Sequence, residues 1–369
     1  MNWKEIRSNY PLVDNCTYLD TARTGAISKG TAERLKVHID DMLQNGAFHR
    51  EEWIKVMEST RNRSANLLSV SSGEIGFLTD LSVGMNILAS AMTDKKRVLL
   101  VEGEFPSVGI PWIKKGYEIQ WISRDPDFRI DLNKIETELK KGIDILPISW
   151  VQYNSGFRVN LKTLGALCQK YGTKLLVDGT QGICAYPVEP KDCGVDVFMA
   201  SAFKWMTAGF GISIIYMDQE FRNSMKVSSG GWNSLVDFFG SWEKAENFKS
   251  GSAVVEMGHP KYANLYCLDN ALKEMESIGL ENIQQRTAHM SGYLQGSLHN
   301  AGIETLSNFA PEESSAIRLM RGSKALFNHL SEHDVRLTFR EDYFRVAPHF
   351  YNDEGDVDRL IEGVLGVDK

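Results

Sequence analysis

Residues 174–217 read KLLVDGTQGICAYPVEPKDCGVDVFMASAFKWMTAGFGISIIYM. Three short apolar runs stand in this stretch: KLLV, VDVFMAS and GISIIYM. The first ends on Asp178. The second is followed by Lys204, which comes after an aromatic residue and before small residues and glycines. Short apolar runs bounded by Gly and Asp read as strands buried on both faces. A lysine at the turn between two such strands is partly desolvated. Either its charge reaches water along its stem or the site needs an amine. A buried aspartate is likewise expensive unless a cation or a strong donor meets it.

Upstream, EIGFLTD, RVLLVEG, YEIQWIS and DILPISWVQ repeat the buried-strand pattern, so seven strands are expected between residues 74 and 217. SVGMNILASAM, NKIETELKKG and LKTLGALCQKYG between them carry helical spacing, the last two with a glycine stop. Strands alternating with helices predict an α/β fold with a mostly parallel sheet covered on both faces. Residues 31–70 read as two amphipathic helices. Residues 221–260, rich in Gly, Ser and Trp, read as a loop-rich crossing segment. From 262 the order helix, helix, strand (SAIRLMR), helix, strands (VRLTFRE, YFRVAPHF), helix (EGDVDRLIEGVLG) predicts a smaller α+β domain. The expected organisation is an N-terminal segment, 1–15, on the small domain; a large domain, 16–260; and a small domain, 261–369.

The totals narrow the function. A chain of 369 residues with 43% hydrophobic and 24% charged residues is ordinary for a soluble protein, and its net charge of −7 lacks the basic footprint of a nucleic-acid binder. An anionic substrate would need a local cationic pocket. The N-terminus lacks the apolar core of a signal peptide and no run is long enough to cross a bilayer. Five scattered cysteines without a C-x-x-C pair favour reduced thiols and a cytoplasmic location. Eight histidines without ligand spacing give no reason to expect a metal. No G-x-G-x-x-G follows EIGFLTD or RVLLVEG, which argues against a dinucleotide-binding oxidoreductase.

In an open parallel sheet, ligands sit beyond the carboxyl ends of the strands. Past KLLV come Asp178, Gly179, Thr180 and Gln181; past VDVFMA come Ser201 and Lys204. Thr79, Asp80 and Ser82 follow GFL and open a helix, and Tyr153, Asn154 and Gly156 follow PISWVQ. Each has a plain alternative: Asp80, Ser82 or Asp178 as a helix cap, Lys204 in a buried ion pair. Taken together they match a phosphate at a helix N-terminus, a ring nitrogen kept protonated by a carboxylate, and an aldehyde awaiting an amine. Pyridoxal phosphate presents those three groups.

The stretch LLVDGTQGICAYPVEP, with the lysine of SAFKWMTAGFG 26 residues after Asp178, resembles the class V aminotransferases, a family that includes cysteine desulfurases and isopenicillin N epimerase-like proteins. The likeness runs from YLDTARTG (18–25) to FRVAPHFYN (344–352). It implies the pyridoxal-phosphate transferase fold of aspartate aminotransferase type, with Lys204 forming the internal aldimine and Asp178 pairing with the ring nitrogen. Gln181 and Asn154 would lie near the cofactor's phenolic oxygen, and Ser82, Val83, Gly84 and Ser201 would cradle its phosphate. Phe105 would stack on the ring, with a core phenylalanine as the alternative. Arg345 would clamp the substrate α-carboxylate, with a surface salt bridge as the alternative. VVEMGHP (254–260) resembles a segment that reaches a dimer partner's phosphate, and His259 stands where the family commonly has threonine. Arg23, where the family usually has a small residue, is an expected contact for a second anionic group of the substrate.

The resemblance thus implies a homodimer with active sites at its interface acting on a small amino acid, most readily by amino transfer. An epimerase, a C–S lyase and a catalytically idle scaffold are the alternatives. No cysteine follows Cys267, so residues 268–369 cannot supply a desulfurase's persulfide thiol. Phe105 and Phe203 also replace histidines common in that branch.

Overall fold

The computed structural model describes residues 1–237, 242–244 and 246–366. Its strands are β1 (Thr17–Tyr18), β2 (Ile75–Leu78), β3 (Arg97–Val101), β4 (Glu118–Ile122), β5 (Ile145–Ser149), β6 (Lys174–Asp178), β7 (Val197–Ser201), β8 (Ser213–Met217), β9 (Arg318–Arg321), β10 (Val335–Arg336), β11 (Thr338–Arg340) and β12 (Tyr343–Val346). Seven of them form the central sheet, in the order β2-β8-β7-β6-β5-β3-β4. All run parallel except β8, which is antiparallel to both β2 and β7. These are the seven apolar runs read from the sequence.

Their continuous hydrophobicity has a direct cause, since alternate residues serve two different cores. Leu175 and Val177 point into one buried cluster and Leu176 into the other. Val98 and Leu100 divide from Leu99 and Val101 in the same way. Because β8 returns antiparallel beside β7, the two need no crossover helix. The short connection between them keeps Lys204 at the carboxyl edge of β7.

Helices Lys29–Asn45, Arg50–Leu68 and Tyr262–Ile278 pack together on one face of the sheet. The expected boundary at residue 261 therefore moves. Helix Tyr262–Ile278 buries Leu265, Leu268, Leu272 and Met275 in the large core, and Ser59 and Arg63 bond its Asp269. The smaller core starts with helix Leu280–Asn300, which contributes Met290, Leu294 and Leu298. At the other end, Thr17 and Tyr18 pair with Val335 and Arg336, and Leu19 is buried in the small core. The chain thus enters the large domain after Asp20 rather than at residue 16. Arg7 ties the N-terminal helix to the small domain by donating to the Tyr351 carbonyl (2.9 Å) and to Asp356 (2.6 Å).

The run VRLTFRE is two strands, not one. β10 pairs with β1, whereas β11 joins β12 and β9 in a separate antiparallel sheet. Leu337, buried between them, marks the switch. The short helices Trp3–Arg7, Leu12–Asn15 and Gln219–Ser224 escape the sequence reading, as does Pro106–Lys114, which has Pro111 inside it. Within 221–260, helix Gln219–Ser224 and the short turns Trp232–Ser234 and Ser252–Val255 are described; 238–241 and 245 lie outside the described residues. No helix among the described residues is long and apolar enough to cross a membrane.

Candidate active site

Lys204 is held by its backbone. The Gly25 amide donates to the Phe203 carbonyl (2.8 Å) and the Thr207 amide to the Lys204 carbonyl (3.0 Å). A Cβ on Gly25 would stand 2.0 Å from that carbonyl oxygen, so only glycine allows this approach. The half-buried ammonium lies 5.8 Å from the Phe105 ring centre and 5.4 Å from that of Phe203. Burial pulls its pKa down to about 8; Asp178 works against that shift, and the Arg345 charge adds to it.

Asp178 ends β6, fully enclosed, and Oδ1 accepts the Thr180 amide at 2.9 Å. Desolvation raises its pKa to about 6, Thr180 and Lys204 oppose the rise, and the Glu104 charge adds to it. Lys204 and Asp178 thus sense each other without a direct ion pair among the described residues. Each environment favours the neutral form, which is how titrating groups are poised for chemistry near neutral pH.

Glu104 was not singled out from the sequence, although it too follows a strand end. Its Oε1 accepts the Phe105 amide (2.7 Å) and the Ser149 hydroxyl (2.5 Å). Oε2 accepts the Ser149 amide and the Gln152 side chain, each at 2.9 Å. Four bonds make it an anchor between the ends of β3 and β5, and that anchor sets Phe105. The Phe105 ring meets Tyr153 edge-on at 5.3 Å and faces the lysine.

Arg345, on β12, is 4% exposed. Nη1 donates to the Tyr153 carbonyl (2.9 Å), while Nη2 makes longer contacts to Asp20 (3.4 Å) and the Thr338 hydroxyl (3.3 Å). Its Nε is buried without a partner. An orphaned donor in such a place costs free energy, and a ligand carboxylate would satisfy it. The salt-bridge alternative is therefore half right: Asp20 is the pair, but it is buried and does not use up the guanidinium. Arg345→Met should lower unfolding free energy by about 3–5 kcal/mol, because it strands the Asp20 carboxylate. Urea titration checks this, and adding Asp20→Asn should restore part of the loss.

Other expected site residues are placed less simply. Ser201 is buried; its hydroxyl accepts from Ser213 (3.0 Å) and its amide donates to Thr180 (3.1 Å). Ser82 is exposed and shares a hydrogen bond with Ser107 (2.7 Å). The Val83 amide is already given to Asp80, the N-cap of helix Leu81–Ala91, at 2.9 Å. Gly84 is a packing residue, since a Cβ there would fall 2.4 Å from the Met199 sulfur. His259 is exposed, rests against Trp232 (4.9 Å) and lines a pocket of about 250 Å³ with Thr79, Val83 and Gly258. Gln181 links Ala22 O (2.9 Å) to Trp205 Nε1 (2.8 Å), and Asn154 links Gly103 O (3.1 Å) to Arg124 (3.0 Å). One N–H and one lone pair remain on each of those amides. Arg23 is exposed and lines a different pocket, with Tyr18, Asp20, Ser331 and Arg336.

A family model described as aminotransferase class-V matches residues 17–339. The chain belongs to the class-V aminotransferase family. Its relatives include the uncharacterized aminotransferase YcbU of Bacillus subtilis, 24% identical over 98% of this chain and 97% of that protein. A cysteine desulfurase of Cronobacter sakazakii is 21% identical over 99% and 98% of the two chains. Among solved structures, the apo cysteine desulfurase of Thermococcus onnurineus has a TM-score of 0.88 at 17% identity, covering 99% of this chain and 97% of its own. A C-DES mutant with glycine covalently linked to its PLP cofactor has a TM-score of 0.89 at 18% identity over 97% and 98%. This member of the class-V aminotransferase family therefore has the α/β fold of those structures.

Proposed function

We propose that this class-V aminotransferase uses pyridoxal 5′-phosphate to move the amino group of a small amino acid to an oxo-acid acceptor. The feature that supports this reading is the amine of Lys204, whose pKa burial pulls down to about 8, near the enclosed carboxylate of Asp178. At pH 7 such an amine is neutral about 300-fold more often than an ordinary lysine, and the neutral amine is the form that attacks an aldehyde.

The donor set fits the cofactor. Lys204 would hold it, Asp178 would face its ring nitrogen, and Phe105 would cover the ring. The Ser201 and Ser82 hydroxyls would serve the phosphate end, His259 would add to it, and the free valences of Gln181 and Asn154 would serve the ring edge, whereas the Val83 amide is already given to Asp80 and Gly84 makes room for Met199. When bound, the cofactor supplies an aldehyde for amine exchange and an electron sink that makes the substrate's Cα proton removable. The residues do the rest. Asp178 holds a proton at the ring nitrogen, and Arg345 turns its spare Nε–H to the substrate α-carboxylate. Lys204 is the base within reach for the Cα proton and can return it elsewhere. Thr338 and Asp20 keep the guanidinium aimed.

The thiols support amino transfer over persulfide chemistry. Burial pushes Cys168 and Cys184 up to about 12 and raises Cys16, Cys193 and Cys267, so none is an activated thiolate. A C–S lyase that needs no protein thiol is the second reading, favoured by the likeness to the cystine C–S lyase C-DES, which was solved with cysteine persulfide (TM-score 0.88). A homodimer belongs to the proposal. Leu43 and Phe48 are 81% and 93% exposed and Phe210 is 63% exposed, apolar side chains that contact with a second copy would cover. Incubation with amino acids, with and without 2-oxoglutarate, tests the reaction. Amino transfer only with the acceptor is expected. Pyruvate from cystine or cysteine without an acceptor would transfer the assignment to the lyase.

A further inference from the structure

We propose that the mouth of the Lys204 cleft carries a second anion site, formed by Arg340 and Arg124 about Tyr153, which selects amino acids with an acidic side chain. This rests on the proposed function, since it names the substrate class of that same site.

The geometry begins with the β11–β12 hairpin. Thr338 lies opposite Arg345 and Arg340 opposite Tyr343. Those two cross-strand pairs are two residues apart, so all four side chains share one face, with about 7 Å between the pairs along the strands. Arg345 meets the Tyr153 carbonyl, and the Arg340 guanidinium stands 5.4 Å over the Tyr153 ring. Tyr153 is thus a shared wall: it packs on Phe105, the aromatic neighbour of Lys204, and also lines a pocket of about 760 Å³ with Arg124, Asn154, Arg321, Arg340 and Tyr343. An amino acid anchored by its α-carboxylate at Arg345 would extend its side chain along this face toward Arg340.

The charges point the same way. The other charged groups lining the pocket are largely paired: Asp342 by Arg321, and Asp127 by Arg129. Glu341 occupies the turn, at φ 48°. Arg340 and Arg124 form no ion pair among the described residues. Arg124 is also preset. Nη1 donates to Asn154 (3.0 Å), the guanidinium lies 5.5 Å over Phe128, and it passes so near Gly103 that a Cβ would fall 2.3 Å from Nη2. The pocket's three arginines are matched in number by Asp127, Glu341 and Asp342, but Asp342 is held by Arg321 and Asp127 by Arg129, which leaves the preset Arg124 and the Tyr153-stacked Arg340 as the guanidiniums available to an anion. The role expected of Arg23 thus falls to Arg340 and Arg124, because Arg23 faces a different pocket.

The test is calorimetric titration of the yellow, cofactor-loaded enzyme with glutarate and with butyrate, two acids without an amine. Glutarate should bind the wild type more tightly than butyrate. Arg340→Gln should weaken glutarate roughly 10- to 100-fold and leave butyrate within about twofold. Arg124→Gln should act in the same direction. Equal losses for both acids, an unchanged glutarate affinity in both variants, or no detectable glutarate binding to the wild type would overturn the proposal. Failure of the cofactor reading would show earlier and separately, as protein that never gains a yellow band bleached by borohydride; the same titrations on that protein still decide the anion site.

Discussion

Lys204→Ala is expected to lose amino transfer by roughly 10³-fold or more while remaining folded. Both halves follow from the surroundings of the side chain. The amine is the nucleophile and the base of the proposed reaction, and no other lysine lies among the described residues that approach Asp178 and Arg345. Among the described residues, its ammonium makes no hydrogen bond that truncation would remove. Burial lowers its pKa to about 8, so the folded state binds a proton there less readily than the unfolded chain does. The stability of cofactor-free wild type should therefore rise with pH between about 8 and the ordinary lysine value near 10.5. The variant should lack that rise and be no less stable than the wild type at pH 7. Thermal melts across this window separate lost chemistry from lost folding. An external primary amine should restore part of the rate.

Asp178→Asn is the second large effect, a fall in kcat of roughly 10²- to 10³-fold with a smaller change in KM. An amide of the same shape preserves the contact with Thr180 but cannot hold a positive charge opposite. Stability should move the other way. Because the folded-state pKa is raised from 3.8 to about 6, the native protein holds this proton after the unfolded chain has released it. Cofactor-free wild type should accordingly lose stability as pH rises from about 4 to about 6, by about 3 kcal/mol, and the asparagine variant should be flat over that interval. A parallel loss in both proteins would mean that Asp178 ionises as an ordinary surface carboxylate does.

Much of this was legible in the chain. Six of the seven strands could be read because they are buried along their length and carry no polar interruption, whereas the edge strand β4 has Gln120 at its centre and an exposed Trp121, and only Ile119, Trp121 and Ile122 mark it. Asp178 and Lys204 stood out because they end apolar runs, where a charge needs an explanation. Glu104 obeys the same rule but was hidden beside Phe105, since its role depends on Ser149 and Gln152 arriving from another strand. The two-residue pairing of β1 with β10 is too short for periodicity to mark. Helix Pro106–Lys114 was concealed by the proline within it. Sequence also overstates residues whose polar atoms are consumed locally, such as Val83, whose amide goes to Asp80, and Gly84, which is glycine to make room for Met199. Arg340 and Arg124 are 216 positions apart in the chain, and only tertiary closure around Tyr153 brings them to one pocket.

The most direct measurement is peptide mapping of the holoenzyme after borohydride reduction. The reduced cofactor mass should be found on the peptide containing Lys204, and Asp178→Asn should shift the absorption of the bound chromophore before reduction. A label on a different lysine, or an unmodified Lys204 in protein that is fully loaded, would contradict the account.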